Sequence, residues 1–482
     1  MWILWTILAA LGVLILIVLI RTLLFTPKKP FFDDMEGVDA PVEFDTDDAV
    51  AALQQLLRCK TISYFDRSLE DEAEFDKLID LLPSLYPEVY RVCSLERLPD
   101  RALLFRWAGK EHDTPAVMMA HYDVVPVEES SWQKPPFDGI LEDGVLWGRG
   151  ALDTKITFSS VLFAANTLIK QGFTPARDVY FAFSGGEEIN GDGALHIVNY
   201  FKEKGITPAL VLDEGGAVVE NVFPGVTVPC AKIGIAEKGM MNVTLSVESN
   251  GGHASAPKPH TPIGQLSSAC CAMEEKPFPF HLTPPVASLF DTLGRNSTFV
   301  YRMIFSNLWL FKGVLDMICK KSGGEMNALV RTTVAFTQAS GSSAPNVIPP
   351  SASMTANLRL NPMDTVESAT EYIRQTIKDD SITITVKNGT NPSPISKIDC
   401  DGWNKIASSV ATTWQGCIVS PYLMVQCSDS RHYGAISDRD YRFSAMDLTS
   451  EERKSIHGHN ERIRVDCIKR ATEFYVRLMR QC

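Results

Sequence analysis

The chain has 482 residues, which is long enough for two or three domains. Its hydrophobic content of 45% and charged content of 22% are those of a globular protein that buries a complete core. The net charge of −12 at pH 7 argues against a nucleic-acid partner, which would require a basic surface. We therefore expect no nucleic acid to bind.

The chain begins with an apolar segment. Residues 2–20 carry no charge, and Arg21 follows them. About 20 such residues span a bilayer. A cleaved signal peptide is the alternative, but no basic residues precede the segment and no small-x-small site closely follows it. We predict a single-pass membrane anchor over residues 1–26 and a linker over residues 27–44. The side of the membrane stays open, because basic and acidic residues both follow the segment and large domains can translocate regardless of charge.

Between residues 45 and 238, short apolar runs alternate with segments of helical periodicity. The predicted helices are 49–57, 75–85, 158–171 and 197–204, and the predicted strands are 102–107, 117–120, 179–184 and 210–212. Asp47 or Asp48 is the expected N-cap of the first helix. This alternation predicts an α/β fold, with a central mixed sheet flanked by helices, for the first part of a catalytic domain.

The pattern changes after residue 238. The predicted strands are now 241–248, 329–335, 352–360 and 382–387, and the predicted helices are 264–274 and 366–378. This order predicts a small α+β domain of the ferredoxin-like type over residues 239–395. Residues 396–482 return to the α/β pattern, so we expect the second domain to be inserted into the first.

Carboxylates and imidazoles recur at the ends of the apolar runs. They are His121 and Asp123, Asp153, Glu187 and Glu188, Asp213 and Glu214, and His457. A buried His–Asp pair or a solvated Glu–Glu turn explains any one of them alone, but not their shared position at strand ends. Such donors suit zinc or a related divalent ion. Two histidines and three carboxylates are enough for two metals that share one carboxylate, and such a pair can polarise a carbonyl and activate water.

In two of these pairs, His121/Asp123 and Glu187/Glu188, we expect the two residues to have different roles. Asp123 lies two residues after His121, on the same side of an extended chain, where it can orient the imidazole. Glu187 and Glu188 point apart on a strand, so a tight turn must bring both to the metals. We expect one of them to be a ligand and the other a general base.

Nine blocks of sequence carry a family resemblance: MMAHYDVVPV, PPFDGILEDGVLWGRGALDTK, FSGGEE, LVLDEGG, GGHASAP, APNVIPP, ANLRLNP, DSRHYG and IHGHNER. They resemble the co-catalytic dizinc aminoacylase and carboxypeptidase family, and most closely its N-fatty-acyl-amino-acid synthase/hydrolase and carboxypeptidase S-like branch. The blocks span nearly the whole chain after residue 45.

The resemblance implies two Zn²⁺ ions, with Co²⁺ or Mn²⁺ as alternatives. It implies five ligands: His121, Asp153, Glu188, Glu214 and His457. Asp153 would bridge the ions, His121 and Glu214 would hold one of them, and Glu188 and His457 would hold the other. Asp213 is the alternative to Glu214, since either could face the site.

The resemblance also implies roles in catalysis and substrate binding. Glu187 would be the general base, and Asp123 would orient His121. His253 would polarise the scissile carbonyl, and Asn346 and Arg359 would hold the substrate carboxylate, a task that suits an arginine fork. Lid domains of related proteins dimerise in some branches, which makes a homodimer an open alternative.

The chain departs from the family after the bridging aspartate. Family members usually have a second acid there, often across a cis peptide, whereas this chain has Thr154. A cis bond before a residue other than proline costs about 3 kcal/mol, so we do not expect one. The ligands and the base are all present, and we expect activity.

These observations predict a membrane-anchored dizinc amidohydrolase. Its substrate would be a small molecule, an N-acyl amino acid with a long acyl chain, and it would cleave or also form the amide bond. A dipeptidase or carboxypeptidase with the same metals is the alternative, and an inactive binding module is disfavoured by the intact Glu187. The apolar segment 298–319 is either core or a lipid-facing acyl site, and the small size of its domain favours the acyl site.

Overall fold

The computed structural model describes residues 1–28, 38–223 and 225–482. The helices are α1 Trp2–Leu24, α2 Thr46–Leu57, α3 Glu72–Leu85, α4 Pro87–Val92, α5 Lys155–Lys170, α6 Gly193–Lys204, α7 Pro262–Glu275, α8 Pro284–Arg295, α9 Phe299–Ser306, α10 Leu308–Ser322, α11 Gly324–Val330, α12 Val366–Ile377, α13 Asp401–Thr413, α14 Ser450–Ser455 and α15 Val465–Arg480. The strands are β1 Ser94–Leu98, β2 Ala102–Trp107, β3 Glu111–His121, β4 Ile140–Glu142, β5 Val145–Trp147, β6 Arg177–Ser184, β7 Leu210–Val219, β8 Cys230–Glu237, β9 Gly239–Glu248, β10 Gly252–His253, β11 Thr333–Ser340, β12 Val347–Ile348, β13 Ser351–Leu360, β14 Thr383–Thr390, β15 Ile418–Met424, β16 Asp440–Leu448 and β17 Arg462–Arg464.

Eight strands form the central sheet in the order β1-β2-β6-β3-β7-β16-β8-β15. The pairs β6–β3, β3–β7, β7–β16 and β8–β15 are parallel, and β1–β2 and β2–β6 are antiparallel. The prediction of an α/β fold with a central mixed sheet is confirmed. The parallel strands β6, β3 and β7 are neighbours, so their carboxyl ends lie at one edge of the sheet.

Helices cover both faces of this sheet because its central strands are apolar on both sides. On one face, β3 buries Met118 and Ala120 in a core shared with α2, α5, α13 and α15. On the other face, Val117 and Met119 of the same strand pack against α6. Runs that are buried on both faces are typical of parallel strands.

A second sheet of four antiparallel strands has the order β11-β13-β9-β14. Its core includes side chains of α7 and α12, among them Leu266 and Ile373. Apart from α8 to α11 and the two-residue strands β10 and β12, the chain order here is the β-α-β-β-α-β order of the ferredoxin-like motif. The description of residues 239–395 as an inserted lid domain remains a prediction.

Three local predictions are wrong. The first helix is capped by Asp45, whose Oδ1 accepts the backbone N–H of Asp47 at 2.8 Å, rather than by Asp47 or Asp48. The predicted strand 329–335 begins at Thr333 because Leu329 and Val330 pack as the last turn of α11 into an apolar core. The predicted strand 210–212 continues to Val219, since β7 resumes its pairing with β16 beyond a register break.

Among the described residues, α1 is the one helix that is long and apolar enough to cross a bilayer. A signal sequence has the same properties, so the anchor over residues 1–26 remains a prediction. Of the predicted linker 27–44, residues 29–37 lie outside the described part of the chain.

Candidate metal centre

Three elements bring donors to one edge of the central sheet. His121 is the last residue of β3. Glu187 and Glu188 lie in a 3-10 turn that follows the end of β6 at Ser184, and Glu214 lies within β7. Because β6, β3 and β7 are parallel neighbours, their carboxyl-terminal halves place these side chains together, where ligands of open α/β sheets usually bind.

Asp153 reaches the same place from the loop between β5 and α5. Gly150 in this loop has a φ of +87°, which favours glycine, and a Cβ there would lie 2.9 Å from Val124. The Asp153–Thr154 peptide bond is cis, which corrects the expectation of a trans bond at this position. Thr154 Oγ1 donates a hydrogen bond to Thr157 Oγ1 at 2.7 Å, so a threonine is accommodated after Asp153.

The five predicted ligands form two groups that share Asp153. Its Oδ1 lies 3.1 Å from His121 Nε2, and its Oδ2 lies 3.0 Å from His457 Nε2. The donor atoms of His121, Asp153 and Glu214 lie within 4.8 Å of one another, and so do those of Asp153, Glu188 and His457. The two oxygens of one carboxylate therefore face two different donor triads.

Asp123 supports both the imidazole and the glutamate turn. The Nδ1 of His121 lies 3.0 Å from the backbone oxygen of Asp123 and 3.4 Å from its Oδ1. The two carboxylate oxygens of Asp123 accept the backbone N–H groups of Glu187 and Glu188 at 3.1 and 3.2 Å. The same residue thus orients a predicted ligand and fixes the turn that carries the predicted base.

The side chain of Asp213 is used elsewhere. Its Oδ1 accepts the N–H of Glu214 at 2.9 Å, and its Oδ2 accepts the N–H of Ser430 at 2.8 Å. Glu214 stands in the donor triad instead. Of the two alternatives, the geometry favours Glu214 as a ligand.

The centre concentrates negative charge away from bulk water. Burial, and then the neighbouring charge of Asp153, raises the pKa of Glu214 well above its ordinary value. Burial likewise raises the pKa values of Glu187 and Glu188. Hydrogen bonds to Asp153 and Glu188 raise the pKa of His457 to about 10. The carboxylates repel one another, and their negative charge favours the protonated form of the imidazole of His457. Such a site is suited to cations.

The donor set fits two divalent ions. Each triad offers one imidazole nitrogen and two carboxylate oxygens, a combination found in zinc and related sites. Three protein ligands leave a position open for water or substrate, which is the arrangement of catalytic rather than structural sites. A further carboxylate, that of Glu187, belongs to neither triad, but it lines a cavity that Asp153, Glu188, Glu214 and His457 also line.

That cavity has a volume of about 590 Å³. Part of its wall is apolar and is formed by Ala217, Val219, Ala328, Met424, Val425, Met446, Leu448 and Ile456. Its polar wall includes Lys232 and Glu325, whose Nζ and Oε1 atoms are 2.7 Å apart, and Arg453 lies nearby. The metal centre therefore opens into a space that has both an apolar and a charged side.

The three remaining predicted residues lie on other elements. Arg359 of β13 donates a hydrogen bond from Nη1 to Sγ of Cys427 at 3.2 Å, and Cys427 borders the cavity. His253 is the second residue of β10 and pairs with Val347 of β12, and Asn346 directly precedes β12, where its backbone oxygen accepts the N–H of Ala254 at 3.1 Å. Both are exposed, and within the described chain neither lines the cavity.

One supporting residue, Glu461, was not predicted. It is buried, and its carboxylate accepts the N–H groups of Gly150, Leu152 and Asp153 at 2.6–3.1 Å. It also forms an ion pair with Arg149 at 2.6 Å. Glu461 thus holds the loop that presents the shared carboxylate. The signals in the sequence are its position four residues after His457 and its place in the IHGHNER block.

The fold and the sequence agree with one group of known proteins. Residues 117–481 match the model of peptidase family M20/M25/M40. The chain is 34% identical to the N-fatty-acyl-amino acid synthase/hydrolase PM20D1 of Xenopus tropicalis over 98% of this chain and 93% of the relative. It is 33% identical to the probable carboxypeptidase S-like 2 of Dictyostelium discoideum over 97% of this chain and 92% of the relative.

A solved structure shows a similar fold. The M20 family metallo-carboxypeptidase Sso-CP2 of Sulfolobus solfataricus superposes with a TM-score of 0.64 at 18% identity, covering 90% of this chain and 98% of the other. The family match covers more than half of the chain, and the predicted family resemblance is confirmed. The chain belongs to peptidase family M20/M25/M40 and is a metallohydrolase that acts on amide or peptide bonds.

Proposed function

We propose that this protein hydrolyses the amide bond of N-acyl amino acids that carry long acyl chains, and that it can also form this bond. The observation that carries the proposal is that Glu187 and four members of the two donor triads line a cavity with an apolar wall. The similarity to the Xenopus synthase/hydrolase over 98% of the chain supports an N-fatty-acyl amino acid as the substrate.

In this proposal, five residues would hold two zinc ions, or cobalt or manganese ions in their place. His121, Asp153 and Glu214 would bind one ion, and Asp153, Glu188 and His457 would bind the other. When bound, such ions would polarise a carbonyl as Lewis acids. They would also lower the pKa of water, so that it can lose a proton and act as a nucleophile at neutral pH. Asp123 and Glu461 would act by holding the ligands in register, through the hydrogen bonds described above.

Glu187 would move the proton. A carboxylate beside the attacking water can accept its proton and then give it to the leaving nitrogen, so that the amine departs neutral. The hydrogen bond from its own N–H to Asp123 Oδ1, at 3.1 Å, fixes the backbone that carries this carboxylate. Arg359 would bind the carboxylate of the substrate, and His253 and Asn346 would approach the carbonyl and the carboxylate from β10 and the loop before β12.

The acyl chain would lie against the apolar wall of the cavity. Segment 298–319 supports this wall from behind, because Phe305, Leu315 and Cys319 share a core with the cavity residues Tyr422 and Met424. Within the described chain, none of the residues 298–319 lines the cavity itself. Each methylene of the substrate that is removed from water contributes about 0.8 kcal/mol, so binding should strengthen with chain length.

A dipeptidase or carboxypeptidase is the second candidate. The cavity wall carries Lys232, Glu325 and Arg453, and charged groups of this kind suit a polar peptide better than a hydrocarbon chain. The similarity to the Dictyostelium protein, whose name is that of a carboxypeptidase, is nearly as great as the similarity to the synthase/hydrolase.

One panel of substrates separates the two candidates. We would measure kcat/KM for N-acetyl and N-oleoyl forms of one amino acid, for a dipeptide, and for the N-oleoyl amino acid amide. We expect the oleoyl substrate to be cleaved at least about tenfold faster than the acetyl substrate, given the contribution of each buried methylene. The amide should fail because it lacks the carboxylate. Faster cleavage of the dipeptide than of both acyl substrates would establish the second candidate instead.

A further inference from the structure

Helix α10 exposes a row of large apolar side chains. We call Trp309, Leu310, Val314, Met317 and Ile318 the α10 face. Trp309 is 58% exposed and Met317 is 61% exposed. Leu310, Val314 and Met317 recur at intervals of four and three residues, which places them on one side of a helix. A contiguous apolar patch on a protein surface is typical of a site that contacts another protein or a membrane.

The opposite side of α10 is already buried. Leu315 and Cys319 are 2% and 0% exposed, in a core shared with Phe290 and Phe305. Asp316 of the same helix forms an ion pair with Arg331, which follows α11, and this pair fastens α10 to its neighbour. The α10 face therefore belongs to a helix that is fixed to the body of the protein, and its exposure does not come from a poorly packed helix.

The C-terminal part of α1 is attached at the same place. Arg21 Nη2 donates to the backbone oxygen of Ser306 at 2.9 Å, and Thr22 Oγ1 lies 3.2 Å from the Ser306 hydroxyl. Asn307 Nδ2 donates to the backbone oxygen of Val18 at 3.3 Å. Thr22 is fully buried in this contact. The junction between α9 and α10 is thus bound to α1 at residues 18–22.

This attachment sets the depth of the N-terminal end of α10 relative to a bilayer that α1 would span. A helix of 23 residues is about 34 Å long at 1.5 Å per residue, and it matches a hydrocarbon core of about 30 Å. With α1 as the span, the hydrocarbon core would end near the last turn of α1, which contains Arg21 and is followed by Lys28 in an ion pair with Asp291. Helix α10 begins at that level. Apolar side chains and tryptophan at this depth fit the boundary between headgroups and acyl chains.

We propose that the α10 face is a second membrane-contacting element and that it docks into the interfacial layer of the bilayer that α1 spans. The proposal rests on α1 being a membrane span. Lys321, in the last turn of α10, would add attraction to anionic headgroups. Since α11 follows α10 directly and contributes Glu325 and Ala328 to the cavity wall, docking would hold the cavity beside the membrane surface.

The test uses the full chain reconstituted in vesicles of phosphatidylcholine and phosphatidylserine, with and without brominated acyl chains that quench tryptophan on contact. The Trp309 signal is the difference between the parent chain and Trp309→Phe. We expect brominated lipid to quench most of this difference. Trp403→Phe is the matched control, because Trp403 is 2% exposed in the central core and its difference signal should not be quenched.

A second pair of variants separates the α10 face from α1. The difference in fluorescence between the parent chain and the double variant Trp2→Phe/Trp5→Phe gives the signal of the two tryptophans in α1. Quenching of Trp2 and Trp5 without quenching of Trp309 would leave the span in place and overturn the proposal. Absence of both signals would overturn the span and the proposal together.

A third variant tests the face itself. Val314→Asp/Met317→Asp places charge on exposed positions, where folding should tolerate it, and it should lower the quenching of Trp309. An unchanged quenching would overturn the proposal. The proposal would also be overturned if, in detergent without lipid, Trp309 were inaccessible to a soluble quencher and the α10 helices of two molecules could be cross-linked. The face would then pair with a second copy of the chain.

Discussion

The edge of the central sheet and the four-stranded sheet with its neighbouring loops carry two halves of the predicted active site, and they hold their side chains differently. At the central edge, buried carboxylates such as Asp123 and Glu461 accept backbone N–H groups and fix the loops that present the ligands. On the other side, His253 in β10 and Asn346 just before β12 are exposed, and each of these strands has only two residues. Segments with few buried contacts open easily. The candidate metal centre is therefore preorganised, whereas the predicted substrate-binding groups would have to approach it.

The strongest test of this contrast is the loss of the shared ligand. Asp153→Ala should remove the binding of both ions, because Asp153 belongs to both triads, and kcat should fall by more than about 10⁴-fold. Elemental analysis of the purified protein and single-substrate kinetics measure the two effects. Asp113→Ala, which changes an exposed residue near the start of β3, should retain both ions. An active Asp153→Ala protein with full metal content would contradict the shared site.

The next test separates the base from its neighbouring ligand. Glu187→Gln keeps the shape of the side chain but cannot accept a proton, so we expect kcat to fall about 10²–10⁴-fold while the metal content stays at the parent level. Glu188→Gln is the matched control, since it should lower metal content at the His457 triad. If Glu187→Gln kept most of its activity, the proton acceptor would be another group.

The exposed half of the site should show a smaller effect of a different kind. His253→Ala removes a donor that is predicted to meet the carbonyl only when substrate is bound. Loss of one such donor costs about 10²-fold in kcat, with little change in KM or in metal content. His260→Ala, an exposed histidine in the same loop region, should behave as the parent. If kcat were unchanged in His253→Ala, the predicted role of His253 in polarising the carbonyl would be wrong.

The contrast also explains what the sequence could predict. His121 and Glu188 follow apolar runs, and apolar runs identify strands, so the edge where these residues meet could be inferred. The role of Glu461 could not be inferred in this way, because it binds backbone N–H groups more than 300 residues earlier in the chain, such as that of Leu152. Hydrogen bonds to backbone leave no side-chain pattern. The start of β11 was mispredicted for a related reason, since packing of Val330 into a distant core decides it.

Glu461 offers the last and mildest test, because it touches no ion in the proposed site. Glu461→Gln would keep one carbonyl oxygen for the N–H groups of the Asp153 loop and would leave the buried Arg149 without an anionic partner. Substitution of such supporting residues typically costs about 10–100-fold in metal affinity or activity. We therefore expect weaker metal binding in a chelator titration and recovery of activity with added metal, a recovery that Asp153→Ala should not show. Glu451→Gln, on the exposed surface nearby, is the control. A Glu461→Gln protein with parent metal affinity would mean that the loop holds Asp153 without help, and the preorganisation would then lie in the loop backbone alone.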